Sequence, residues 1–161
     1  DQAGEVVVHR VCSDSLELVD RLPPVEGCTS REWLILHPRL PKIYSFSCFW
    51  KPMKKVRESE ARTGEMTVLD IDLETGKLMV CAVHDSLGRQ PCAAAVSPDA
   101  SQLAVAHYLD GRVAVFPLLP DGTPDAGAAR VLTLPGVAGG PPRPPGGGER
   151  LLDGRTGPLC H

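Results

Sequence analysis

A short pattern occurs twice in this chain, and no other property constrains the fold as strongly. Leu34-Ile35-Leu36-His37-Pro38, a turn, and Ile43-Tyr44-Ser45-Phe46 return as Ala94-Ala95-Val96-Ser97-Pro98, a turn, and Leu103-Ala104-Val105-Ala106. The copies stand 60 positions apart (residues 37 and 97), and each runs on into a glycine-led strand, at Gly64 and at Gly111. A unit repeated at such a spacing covers its apolar faces only against neighbouring units, so the chain reads as stacked blades and not as a self-enclosed globule.

The glycines are 47 positions apart (64 and 111), so the first copy holds 13 extra residues. They fall in 50–63, where Lys51, Lys54, Lys55 and Arg57 precede Glu58, Glu60 and Arg62. An insertion in one connection adds little closure entropy, roughly 0.6 kcal/mol per doubling of loop length. A solvated loop is the preferred reading of this basic run; a phosphate-steering role is the sharper alternative.

Elsewhere the apolar runs are short, rich in Val, Leu and Ala, and bounded by turn residues, which selects strands. Segments 5–11, 16–19 and 31–36 read as three early strands. Glu74-Thr75-Gly76-Lys77, Pro98-Asp99-Ala100-Ser101, Asp110-Gly111 and Asp121-Gly122 supply the turns. No window of ten or more residues keeps a helical period, so the expected class is all-β with little helix. Four-stranded antiparallel units with frequent turns suit a partial β-propeller of about two to two and a half blades. Residues 1–134 are assigned to it, and the Gly/Pro-rich 135–161 to an irregular, mobile tail that cannot sustain a ladder. Unpaired blade edges imply self-association.

A net charge of -3 and a pI near 5.9 give no reason to expect nucleic acid or an anionic membrane as partner. No apolar run reaches the roughly 18 residues of a membrane span and no leader opens the chain, so the expectation is a soluble, cytoplasmic protein. A start at Asp1 suggests a fragment or a processed product. The six cysteines, at 12, 28, 48, 81, 92 and 160, show no Cys-x-x-Cys spacing and read as buried thiols. Cys81, His84 and Cys92 lack a fourth ligand, so neither a metal nor a cofactor is expected.

Several segments in order carry a resemblance: 5–10, 16–25, Leu34-x-x-His37-Pro38, Ile43-Tyr44, 64–78, Gln90-Pro91-Cys92, Ala95-Val96-Ser97-Pro98-Asp99, 103–108, 111–118 and Asp121-Gly122. Over residues 5 to about 134 this order resembles the amino-terminal part of the seven-bladed lactonase family, which includes 6-phosphogluconolactonases and carboxymuconate cyclases. The resemblance implies hydrolysis of 6-phosphoglucono-1,5-lactone to 6-phosphogluconate at one end of the channel. That chemistry needs a water aimed at the ring carbonyl, donors for the developing oxyanion and cations for the phosphate.

Carried over position by position, Cys48, Ala93 and His107 stand where the family has Glu, His and Asn. Pro158-Leu159-Cys160-His161 resembles its Pro-His-x-His motif with Leu159 in place of the first histidine, and Arg150 matches the arginine before it. The candidate catalytic residues are therefore His107 and His161. The candidate substrate-binding residues are Arg150 by this carry-over, and Arg89 and Gln90 as donors in the loop before Pro91. His107, at the end of an apolar strand, suits a ligand or a satisfied structural histidine; His161 is also readable as a frayed terminus. His37, in a repeated turn, reads as structural. The implied partner is a small sugar lactone or phosphosugar. A noncatalytic interaction segment, suggested by Cys48, Ala93 and Leu159, and a cyclase on the same scaffold stay open; without Gly-His or Trp-Asp dipeptides a WD40 unit is disfavoured.

Overall fold

The computed structural model describes residues 4–28, 30–49 and 63–133. The 50–62 part of the inserted loop and the 135–161 tail lie outside the described residues. Ten strands run in order: β1 (Val6–Val11), β2 (Leu16–Leu22), β3 (Ser30–Leu36), β4 (Lys42–Cys48), β5 (Glu65–Ile71), β6 (Leu78–Asp85), β7 (Pro91–Val96), β8 (Gln102–His107), β9 (Arg112–Pro117) and β10 (Arg130–Thr133). Among the described residues the helical content is one 3-10 turn, Ala126–Ala128, capped by Asp125, whose carboxylate accepts from the Gly127 and Ala128 amides.

The strands form two four-stranded antiparallel meanders, β3-β4-β5-β6 and β7-β8-β9-β10, and a two-stranded hairpin, β1-β2. This is a partial β-propeller of two blades and half a third, as the repeat requires. β2 lies beside β6: the Leu78 amide donates to the Asp20 carboxylate at 2.7 Å, and Gly76 sits under Val19.

The repeated turns share one backbone hydrogen bond. The His37 amide donates to Lys42 O at 2.8 Å and, sixty residues on, the Ser97 amide donates to Gln102 O at 2.9 Å. His37 Nδ1 accepts from the Arg39 and Leu40 amides at 3.1 and 2.9 Å, while Ser97 Oγ accepts from the Ser101 and Gln102 amides at 3.1 and 3.0 Å. An imidazole and a hydroxyl at the same repeat position thus each accept from two amides of their own turn, though from different ones, and His37 is structural. Ser97 also donates to Asp99, whose carboxyl is pulled down to about 2 by that bond first and then by bonds from Ser101.

Side chains alternate along each strand, and one face of each blade meets the other blade. Tyr44, Phe46, Met66 and Val68 of the first blade close on Leu103, Val105, Ala114 and Phe116 of the second, and all eight are fully buried. Each large member contributes about 1.5–3 kcal/mol by leaving water, so this interface is the main source of stability in the described structure. Its rim is tied by polar contacts. The Tyr44 hydroxyl donates to Gly122 O at 2.6 Å, Lys42 Nζ meets Asp70 Oδ1 at 2.5 Å, and the Arg39 guanidinium donates to Pro98 O at 3.3 Å.

The cysteine expectation needs correction. Cys48 is buried, but Cys12 and Cys81 are exposed and Cys28 and Cys92 half-buried; Cys160 lies outside the described residues. Cys81 is the extra residue of a β-bulge opposite Val68 and Leu69, which turns its side chain away from the blade core. Cys81 and His84 lie on β6 and Cys92 on β7, and among the described residues no three potential ligands gather around a cation site.

Candidate functional site

One end of the two blades collects most of the positions singled out in the sequence. There β4, β6 and β8 finish and β3, β5, β7 and β9 begin. Cys48, Arg89, Gln90, Ala93 and His107 all belong to this end. His161 and Arg150 lie outside the described residues.

The centre of this end is the turn 86–90, wedged between the start of β5 and the β8–β9 hairpin. The Ser86 amide donates to Gly64 O at 2.9 Å and the Gly64 amide donates to Gly88 O at 2.8 Å, a reciprocal pair that seals the turn onto β5. The Arg89 amide donates to Asp110 Oδ2 at 3.0 Å, and the Tyr108 amide donates to Gln90 O at 3.0 Å, pinning the other side. Leu87 and Gln90 are held at φ 66° and 53°, a left-handed conformation that a non-glycine residue keeps only where its surroundings over-determine it. Two glycines permit the packing: a Cβ on Gly64 would collide with the Pro91 ring and the Ser86 hydroxyl, and one on Gly88 with the His107 ring.

His107 lies inside this arrangement. It continues the inward row Leu103, Val105, His107 of β8 and is fully buried. Its Nδ1 is 3.3 Å from Arg112 O and its Nε2 is 3.1 Å from Ser86 Oγ, and Ser86 is also fully buried. Burial holds the imidazole pKa below its ordinary value, opposed mainly by the nearby Asp110 carboxylate. With no exposed surface among the described residues, the ring contacts its neighbours in the turn. The same burial removes Ser86 as a hydrolytic nucleophile, although serine, histidine and acid stand close together.

Arg89 and Gln90 are half-buried on the outer side of this turn. Their backbones are fixed as described, and the Arg89 guanidinium makes no hydrogen bond among the described residues. Cys48 is fully buried and its thiol donates to Pro91 O at 3.5 Å. Ala93 pairs with Ala106 on the face of the second blade turned away from the first. The positions that the resemblance matches to a glutamate and a histidine thus hold a thiol in a structural contact and a methyl group.

Sequence reasoning missed Ser86, Gly88 and Asp110. The usable signal was the alternation itself: Leu103, Val105 and His107 share a parity, which sends the histidine to the inter-blade core. A shallow depression of about 200 Å³ at this end is lined by Thr63, Gly64, Glu65, Val83, His84 and Asp85, with His84 Nε2 buried and without a partner among the described residues. On the first blade's other face, Arg31, Ser47 and Glu65 are in register across β3, β4 and β5. Arg31 Nε and Nη1 and the hydroxyls of Ser45, Ser47 and Thr67 are buried without hydrogen-bond partners among the described residues.

Meandering four-stranded blades packed face to face, with turns and polar groups gathered at one end, define a β-propeller segment. The profile of the lactonase family, described as a seven-bladed β-propeller, matches residues 2–144, and the chain belongs to that family. Among solved structures it is similar to a candidate 6-phosphogluconolactonase from Bacteroides fragilis, with 13% identity and a TM-score of 0.64 over 82% of this chain and 34% of that one. A second candidate 6-phosphogluconolactonase, from Bacteroides uniformis, shares 14% identity with a TM-score of 0.62 over 81% and 35%. The periplasmic gluconolactonase of Pseudomonas aeruginosa shares 17% identity with a TM-score of 0.61 over 81% and 33%. The chain thus spans about a third of the length of these structures. The sequence has no significant match among curated proteins. No helix among the described residues is long and apolar enough to cross a membrane.

Proposed function

We propose that this chain supplies the first blades of a sugar-lactone hydrolase of the 6-phosphogluconolactonase type, which opens 6-phosphoglucono-1,5-lactone to 6-phosphogluconate. The observation that carries this reading is the family match over residues 2–144, supported by the convergence of the carried-over positions at one blade end. In this reading Arg89 and Gln90 donate to the anionic substrate from a rigid turn, and His161 and Arg150 add an imidazole and a second cation. His107 orders the turn from within. Water adds to the lactone carbonyl, the acyl–oxygen bond breaks, and the ring oxygen takes the proton.

The test uses a longer protein that carries this segment and the remaining blades, assayed for hydrolysis of the phosphorylated lactone above its spontaneous rate. Activity is expected, and Arg89→Ala is expected to raise KM about tenfold with little change in kcat, as loss of a charge-assisted contact to a bound anion requires. A complete ring with no rate above background overturns the reading. A second reading, a noncatalytic interaction segment, draws on Cys48 and Ala93, which present no acid or base where the family has both. It predicts an unchanged spontaneous rate and retention of a protein partner that lactone does not displace.

A further inference from the structure

The Ser86 hydroxyl has two acceptors within reach and one hydrogen to give. Its Oγ is 3.1 Å from His107 Nε2 and 3.2 Å from Gly88 O. The other ring nitrogen, Nδ1, faces Arg112 O at 3.3 Å. A carbonyl only accepts, so Nδ1 carries a hydrogen whatever the charge on the ring. In the neutral ring Nε2 is then bare and takes the Ser86 hydrogen. In the imidazolium Nε2 carries a hydrogen of its own, must donate it to Ser86 Oγ, and so frees the hydroxyl hydrogen for Gly88 O.

We propose that Ser86 and His107 act as a positioning pair for the Arg89–Gln90 turn, in which one hydroxyl hydrogen points to His107 Nε2 while the ring is neutral and to Gly88 O once it is protonated. The added proton comes from solvent, and no other bond is made or broken. Protonation adds a second donor to the Gly88 carbonyl, which already accepts from the Gly64 amide at 2.8 Å. The turn is then held more firmly to β5. The charged groups near the ring include Asp85 at the end of β6, and Asp110 and Arg112 of the β8–β9 hairpin, themselves 3.8 Å apart, and the Ser86 and Arg112 backbones also favour the imidazolium. Both carboxylates favour the imidazolium, which makes the second arrangement reachable in acid.

The importance of the turn to substrate rests on the lactonase reading; the hydrogen-bond exchange does not, and its test needs no substrate. Nitrogen and carbon NMR of the labelled chain at neutral pH is expected to show His107 protonated at Nδ1 and bare at Nε2. On acidification the Gly88 carbonyl signal is expected to move with the same midpoint as the His107 ring, and to stay flat over that range in Ser86→Ala. A hydrogen on Nε2 of the neutral ring overturns the proposal. So does a Gly88 signal that ignores the ring, or one that moves equally in Ser86→Ala. Should that variant not fold, the wild-type tautomer and the shared midpoint decide the matter alone. A complete ring without lactonase activity but with this coupling intact would remove the substrate reading and leave the switch standing.

Discussion

His107 and Gly88 show how a single position can be legible in kind and misread in role. The sequence placed a histidine at the end of an apolar strand, and the structure puts it there, but strand parity sends its ring into the core against a residue with no side chain. Gly88→Ala would drive a methyl group into the imidazole. It is expected to destabilise the chain by about 1–3 kcal/mol, the range for overpacking a filled site, read as a lower urea midpoint. The buried ring also gives stability a pH dependence of definite sign. Its folded pKa lies below the unfolded value of about 6.5, so below that pH the unfolded chain binds more protons than the folded one. The contribution is complete above about pH 6.5 and is lost as pH falls from there through the folded pKa. Urea midpoints at about pH 7.5 and about pH 5.5 should therefore differ, and differ less in His107→Gln. His37, depressed by burial and by Lys42 and Arg39, works in the same direction and leaves a residual slope in that variant.

Strands were legible wherever one face is buried more deeply than the other, as in β8, where Leu103 and Val105 are fully buried against the first blade while Gln102, Ala104 and Ala106 on the other face are less so. β6 and β10 carry no such signal. Met79, Val80 and Val83 of β6 and Val131 and Leu132 of β10 are exposed, so these outer strands are specified by ladder pairing with β5 and β9 more than by burial. Contacts between blades were equally invisible, because Tyr44 and Gly122 meet across 78 positions of sequence. Tyr44 is a sensitive probe of that join. Burial, helped by Asp121, pushes its phenol up to about 12, above the unfolded value near 10. The folded chain thus holds the phenolic proton more tightly, and stability is expected to fall as pH rises through the interval between those two values. Tyr44→Phe should lose about 1–3 kcal/mol by leaving the Gly122 carbonyl unpaired. Thermal melts of the variant across that interval should lose the alkaline decline due to this residue.

At the scale of the whole molecule, the outward faces of the two blades differ in chemistry and in cover. The outward face of the second blade carries Ala93, Ala95, Ala104, Ala106, Val113 and Val115, joined across the ladder to Leu132 of β10, which is 56% exposed. An apolar sheet face of this kind invites association. Sedimentation of the isolated chain is expected to show concentration-dependent association that Leu132→Glu weakens. The face of the first blade turned away from the second is mixed and already covered within the chain: Leu69, Ser45 and Ser47 are fully buried there, and Ser45, Ser47, Thr67 and Arg31 bury donors and acceptors with no partner among the described residues. The composition of the chain gave no hint of this, since a serine in a strand reads as solvent-facing until its neighbours are known. A buried hydroxyl without a partner costs about 1–3 kcal/mol, which makes the sign of a substitution diagnostic. In the isolated chain Ser45→Ala removes an unsatisfied group and is expected to be neutral or to raise the urea midpoint. A loss of stability instead would mean that Ser45 already has its partner within these 161 residues.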